Sequence, residues 1–321
     1  MPFYLRAILD LFLPRECLAC GCRLGLRERH LCLACAADVP YTYHWLSAHN
    51  PLADRFNAVL ERHRPADERM DYAYAVALMH YKGPCRAIPR ALKYHGDLAA
   101  GRFYGGLLGR RLASAPHFAD VDLIIPVPLH WTRRRSRGYN QAEILAQAIC
   151  DAFCHSEATG GVCYCHSEET EGRRKNLPSS VQCRTDILFR ARRTRTQTKL
   201  TVEQKARNVA SAFQVSFAPS RRDATSHPQH DQTPHPLLDA LLRPWLDALR
   251  HSRLDVFRHS RLDRESPQET LARARHILIV DDTFTTGATL YACYAALRPY
   301  TSARISIATL AAVEGTPSSG P

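Results

Sequence analysis

Residues 276–289 read His-Ile-Leu-Ile-Val-Asp-Asp-Thr-Phe-Thr-Thr-Gly-Ala-Thr, and this string restricts the chain more tightly than any other. A continuous apolar run suits a strand covered on both faces, as in a parallel sheet, better than a half-exposed one. The run ends in Asp281 and Asp282, and a hydroxyl-rich turn follows. Leu290, Cys293, Tyr294 and Leu297 then repeat at helical spacing. Strand, turn and helix follow in that order, and ligands of α/β sheets gather at strand ends. A helix start presents free N–H groups and the positive end of the helix dipole to an anion. Gly287 permits a backbone path closed to other residues, and Thr285, Thr286 and Thr289 add hydroxyl donors. The turn lacks the lysine of a Walker loop. Two acids beside a phosphate cradle would repel its ligand unless they face something else, and ribose hydroxyls donate to carboxylates. The string therefore reads as a ribose 5-phosphate site. The plainer alternative is a strand end capped by acids and threonine before a helix.

The remaining pattern extends the same architecture. Val121–Pro128, Ala303–Leu310 and Tyr74–Met79 are further candidate strands, and Ile144, Leu145, Ala148, Ile149 and Ala152 form a helical stripe. Strands alternating with helices imply an α/β fold with a mainly parallel, doubly wound sheet. Two domains are expected: a small Cys-rich module at 1–45 and an α/β domain at 72–313. The second is interrupted at about 155–182 and 218–272, where composition turns polar and periodicity is lost. The later interruption repeats Arg-His-Ser-Arg-Leu-Asp at 250–255 and 258–263, too few copies for a repeat array. It also contains one short candidate helix, Leu237–Leu249.

The chain holds twelve cysteines. Arg6 and Asp10 interrupt the apolar N-terminal stretch, which makes a poor signal peptide, and no apolar run is long enough for a transmembrane helix. The expected compartment is the reducing cytoplasm, where paired cysteines bind metal or stay free. Cys17-Leu-Ala-Cys20 and Cys32-Leu-Ala-Cys35 are two matched knuckles eleven residues apart. Four thiolates so spaced suit a closed tetrahedral structural zinc site, and the metal would supply folding energy that so short a module lacks. Cys22 is a spare thiol that competes as a ligand. Cys163, Cys165 and His166, with His155 and Cys183, form a less regular second cluster, whereas Cys85, Cys150 and Cys293 read as ordinary small residues.

Ile124-Ile-Pro-Val-Pro-Leu129 ends a second strand, and its two prolines stiffen the turn that follows. Arg133, Arg134, Arg135 and Arg137 follow, able to neutralise a diphosphate or simply to form a solvated basic surface. The net charge of +12 and a pI near 9.3 fit anionic partners without choosing among them.

The string at 277–289 resembles the 5-phosphoribosyl diphosphate (PRPP) motif of type I phosphoribosyltransferases. That resemblance implies the type I phosphoribosyltransferase fold. It implies ribose contacts from Asp281 and Asp282, 5-phosphate contacts from Thr285, Thr286, Gly287, Ala288 and Thr289, and PRPP binding by Thr283 as well. Some members carry an Asp as base where Thr285 stands here, so proton transfer lacks an assigned residue. Pro-Val-Pro-Leu129 followed by Arg137-Gly-Tyr-Asn-Gln141 is similar to the signature of the ComF (GntX-type) family. So are Leu92-Lys-Tyr-His-Gly-Asp97 and the segment Arg192–Phe213 with Thr196, Gln197, Arg207, Asn208 and Phe213. The family also has an N-terminal zinc ribbon behind an apolar lead such as Leu11–Pro14.

Two functional classes follow from the resemblance. In the first the protein is a phosphoribosyltransferase. Mg²⁺ bridges diphosphate and ribose, Pro128, Leu129 and Arg137 hold the pyrophosphate, and Arg137 is the candidate catalytic residue for an unassigned acceptor. In the second it is a non-catalytic accessory of DNA uptake (natural transformation), working with competence or DNA-processing proteins. The ribbon and basic surface then hold single-stranded DNA while the phosphoribosyl site senses its ligand. Trp131, Tyr139 and the Tyr41–Trp45 cluster are the stacking candidates.

Overall fold

The structure is a computed structural model that describes residues 14–63, 71–156, 181–191, 212–216 and 265–314. The expected helix at 237–249, the repeat at 250–263, Cys163, Cys165 and His166, and most of the Arg192–Phe213 segment lie outside the described residues.

Five strands form one parallel sheet: β1 (Ala75–His80), β2 (Leu123–Pro126), β3 (Gln182–Cys183), β6 (His276–Phe284) and β7 (Arg304–Ala312). Their spatial order is β1-β7-β6-β2-β3. Two short strands, β4 (Leu188–Arg190) and β5 (Phe213–Val215), pair antiparallel beside it. The helices are α1 (Leu33–Ala37), α2 (Pro51–Arg62), α3 (Ala87–Arg90), α4 (Leu98–Ala113), α5 (Trp131–Arg137), α6 (Gln141–Ser156), α7 (Pro267–Arg273) and α8 (Ala288–Leu297). Among the described residues no helix is long and apolar enough to cross a membrane.

The pleat explains why the strands are apolar throughout. In β6, Leu278 and Val280 join a core beneath α4 and α6, while Ile277 and Ile279 join a second core beneath α2, α7 and α8. Val76 and Leu78 against Ala75 and Ala77 repeat the alternation in β1. The sheet is thus covered by helices on both faces, the α/β architecture expected from the sequence. Strand ends differ slightly from expectation. Val127 and Pro128 leave β2 and Tyr74 precedes β1, whereas β6 and β7 run on to Phe284 and Ala312.

Helix α2, which the periodicity reading did not find, starts from good local chemistry. Asn50 caps it by accepting from Leu52 and Ala53 N–H at 3.1 and 3.0 Å, with Pro51 in the first turn. Helix α7 starts with a capping box between Ser266 and Glu269. Its buried Leu271 places ordered structure inside the stretch that composition marked as interrupted.

The Cys-rich module is joined to the sheet. Tyr41 forms an antiparallel bridge with Met79, and His80 N–H donates to the Pro40 carbonyl at 2.9 Å. This covers the free edge of β1. Leu24, Leu31 and Trp45 share one core with α4 and α6. His30 packs on Phe103 at 5.2 Å between ring centres and pairs with Asp97 at 3.8 Å.

Helices α4 and α6 pack with almost no gap because of glycine. A Cβ on Gly109 would lie 2.7 Å from Ala152 Cβ and 2.8 Å from the Ile149 backbone. Backbone cannot yield as a flexible side chain can, so Gly109→Val is expected to cost about 2–3 kcal/mol. The loss would be seen as a lower midpoint in urea unfolding. An unchanged midpoint would show that the two helices are not in close contact.

Candidate functional site

The sheet order creates a crevice. From β2 the chain moves outward to β3, and from β6 it moves the opposite way to β7. β2 and β6 are neighbours, with Pro126 opposite Val280. Their C-terminal ends therefore lie side by side while their following segments diverge. Such a divergence is where open α/β sheets bind ligands. Val127 N–H donates to the Val280 carbonyl at 2.9 Å, so Pro128 and Leu129 leave β2 at the same end of the sheet as Asp281 and Asp282. The two loops singled out in the sequence thus meet, although they are some 150 residues apart.

The acid pair sits at the floor of this crevice. Asp282 is buried and Asp281 half-buried. Burial, and next the charge of Asp282, push the Asp281 carboxyl up to about 7, against the pull of Lys93 and Arg190. Lys93 Nζ lies 3.0 Å from Asp282 Oδ2 and donates to Thr283 Oγ1 at 3.5 Å. Residues that oppose their own stability gather at functional sites.

The turn after the strand has the expected form. Gly287 lies in the left-handed region, at φ 78°, and caps α8 without a side chain. A Cβ there would also meet the Phe284 ring at 3.0 Å. Thr285 and Thr286 are exposed and Thr289 is half-buried, while Ala288 is buried. Arg55, on α2, supports the turn from behind. It donates to the Thr285 carbonyl at 2.9 Å and the Val313 carbonyl at 2.6 Å. Its guanidinium also lies over the Phe284 ring.

The opposite loop is built by the Arg-Gly-Tyr-Asn-Gln string. Gly138, also left-handed, ends α5. Asn140 is buried; its amide donates to the Val127 carbonyl at 3.0 Å, and its oxygen accepts from Ala142 N–H at 3.2 Å. It ties the exit of β2 to the start of α6. Tyr139 donates its hydroxyl to the Leu92 carbonyl. Arg137 is half-exposed and stacks over Tyr94 at 5.6 Å. Arg134 pairs with Glu143 at 2.8 Å on the surface. Of the stacking candidates, Trp131 is exposed, but Trp45 is buried beneath Arg111 and Tyr139 is committed to Leu92.

Lys93, Tyr94, Arg55 and Arg190 were missed as site residues. Lys93 and Tyr94 stand in the Leu92–Asp97 stretch that carried the family resemblance, but spacing alone gives them no role. Their helix ends in a π-turn, Ala91–His95, closed by left-handed Gly96. Asp97 then caps α4 by accepting from Ala100 N–H at 2.9 Å.

The thiol cluster lies near this loop. The sulfurs of Cys17, Cys20, Cys22 and Cys32 all lie within 4.8 Å of one another. Cys20 and Cys32 are 3.7 Å apart, close to the roughly 3.8 Å edge of a tetrahedral zinc tetrathiolate. Burial works against the Cys17 thiolate, but N–H groups of Cys20, Cys32 and Ala19 outweigh it and bring it down to about 6. The tight set contains Cys22 where the spacing favoured Cys35. Cys35 stands against the same group, since the sulfurs of Cys32, Cys20 and Cys17 raise its thiol. The cluster has the chemistry to hold a metal, with Cys22 and Cys35 competing for the fourth position.

No protein-family model matches the chain. A relative named Competence protein F, from Haemophilus influenzae, is 25% identical over 223 residues, covering 66% of this chain and 83% of the relative. The chain thus has a distant competence-protein relative and, in its own structure, a four-cysteine cluster able to bind metal.

Two outcomes follow. Asp281 has a raised carboxyl in the fold, so its favourable share of stability is full below about pH 4 and lost as pH rises toward 7. Asp281→Asn should therefore raise stability at pH 8 by about 1–2 kcal/mol, or about 3–6 °C in Tm, and change little at pH 4. Equal melting curves at both pH values would remove the case for a strained acid pair. Metal analysis should give one zinc per chain, and stripping it with a chelator should shift the emission of buried Trp45 to the red. Comparing Cys22→Ser with Cys35→Ser identifies the fourth ligand as the one whose loss releases zinc.

Proposed function

We propose that this chain is a ComF-like protein of the type I phosphoribosyltransferase fold, and that it serves as an accessory in the uptake of single-stranded DNA. In this reading residues 1–45 form a structural zinc ribbon and residues 72–313 the phosphoribosyl-binding domain. Its crevice binds 5-phosphoribosyl diphosphate as a sensed ligand, and competence or DNA-processing proteins are its partners. One observation supports it above others. An acid pair is held at the divergence of β2 and β6, at a cost in stability, directly before a glycine-capped helix start. The distant relationship to a competence protein and the metal-competent cysteines favour the accessory role over an enzyme of nucleotide salvage.

The roles divide along the crevice. Asp281 and Asp282 accept from the ribose hydroxyls. Thr283, Thr285, Thr286, Gly287, Ala288 and Thr289 surround the 5-phosphate with hydroxyls and backbone N–H groups. Pro128, Leu129 and Arg137 border the diphosphate, where the guanidinium supplies positive charge. Mg²⁺, when bound with the ligand, would neutralise the diphosphate and let it lie beside the acids.

A second reading, transfer of the phosphoribosyl group to an acceptor, draws on one observation. Asp281 holds its proton near neutral pH, a property suited to acid–base work. Arg137 would then stabilise departing pyrophosphate.

Calorimetry separates these readings. Mg²⁺–PRPP should bind the zinc-loaded chain, and Asp281→Asn with Asp282→Asn should weaken it at least about 100-fold, as loss of two charged hydrogen-bond partners implies. Absence of binding to the unmodified protein removes both readings. Release of pyrophosphate with any member of a panel of bases selects the enzyme.

A further inference from the structure

A cleft of about 1070 Å³ opens between the ribbon and the α3 region. One wall is formed by Glu16, Cys17, Leu18, Ala19 and Gly21. The other carries Arg86, Arg90, Lys93, Tyr94 and Tyr81. Arg86, Arg90 and Tyr94 are spaced four residues apart, from the 3-10 turn before α3 through α3 to the π-turn that continues it. Arg86, Arg90 and Tyr94 are exposed, Tyr94 to 70%. Arg86 lies over the Tyr81 ring at 6.0 Å, as Arg137 does over Tyr94. Cationic side chains around the exposed Tyr94 ring, with Tyr81 half-buried beside them, match a strand whose phosphates need neutralising and whose bases have free faces. A duplex offers its base faces to no side chain, so the pattern favours unpaired nucleotides.

Lys93 belongs to this cleft and to the acid pair at once. It lines the cleft while its ammonium is held 3.0 Å from Asp282. Resting on the phosphoribosyl reading above, we propose that the cleft binds single-stranded nucleic acid and that Lys93 couples it to the crevice. When ribose hydroxyls and the accompanying Mg²⁺ engage Asp282, the carboxylate is satisfied and the nearby cation repels Lys93. The ammonium turns into the cleft and adds one phosphate contact. By reciprocity, a bound strand that draws Lys93 away frees Asp282 for ribose. The two ligands therefore bind each other's complex more tightly. The ribbon contributes a wall, so a metal held by Cys17, Cys20, Cys32 and either Cys22 or Cys35 would fix the cleft's width.

The test uses the full zinc-loaded chain and a fluorescent fifteen-nucleotide oligo(dT), read by anisotropy across a salt series. Oligo(dT) should bind, and Mg²⁺–PRPP should tighten it by about tenfold, within the usual range of coupling energies. Lys93→Met should abolish that tightening at PRPP concentrations shown by calorimetry to saturate the variant, and Lys93→Arg should retain it. Tyr94→Ala should weaken oligo(dT) about tenfold with little change in salt slope. Arg86→Ala and Arg90→Ala should each lower the slope by about 0.7. Weaker oligo(dT) binding with PRPP, or unchanged tightening in Lys93→Met, overturns the coupling. Affinity indifferent to Tyr94, Arg86 and Arg90 overturns the cleft. Failure of PRPP to bind the unmodified chain instead marks failure of the phosphoribosyl reading, and the cleft variants still report on the strand site.

Discussion

The parallel pairing of β2 with β6 governs the arrangement of the rest. Four aligned residue pairs, from Leu123 with Ile277 to Pro126 with Val280, bring together segments far apart in sequence. The strands are buried on both faces, and each backbone polar group must find its partner in the ladder. A slip of one residue would move Leu278 and Val280 into the wrong core. Register is therefore fixed by packing, and it brings the exits of β2 and β6 together at one end of the sheet. Everything ascribed to the crevice depends on that alignment.

Polar ties then refine it. Asn140 links the β2 exit to α6, Arg55 links the turn after β6 to α2, and Lys93 links the π-turn to the acid pair. Each tie comes from a different element, so the crevice is a meeting of four chain segments. Arg55 and Asn140 bind backbone carbonyls and fix loop shape. Lys93 binds the buried carboxylate of Asp282, so it holds a side chain rather than a loop.

The Cys-rich module adds a second dependence. Its Tyr41 bridge covers the edge of β1, and its apolar residues enter the core of α4 and α6. A module too small to fold on its own core gains support from both the thiol cluster and the sheet. Its backbone forms a wall of the cleft. Thiol cluster, sheet edge and cleft are thus parts of one arrangement.

The strand–turn–helix string at 276–289 was legible because each residue carries a local signal: apolar run, acids, hydroxyls, then glycine at the helix cap. The two cysteine knuckles were legible for the same reason, since chelation needs short spacing. Lys93 and Tyr94 were not, because nothing local distinguishes a lysine that meets an acid 189 positions away from one facing water. Cys22 illustrates the same limit. Spacing favours Cys35, while the turn through left-handed Gly21 folds Cys22 back among the sulfurs. The glycine contacts of α4 with α6 and the burial of Trp45 are likewise properties of neighbours. By itself the sequence determined the parallel α/β class, the strand–turn–helix string with its glycine cap and the presence of a thiol-rich module, because those rest on short-range pattern. Tertiary structure alone decided which cations flank the acids, which aromatics stay exposed and which thiols converge, because those depend on distances that only the packed sheet defines.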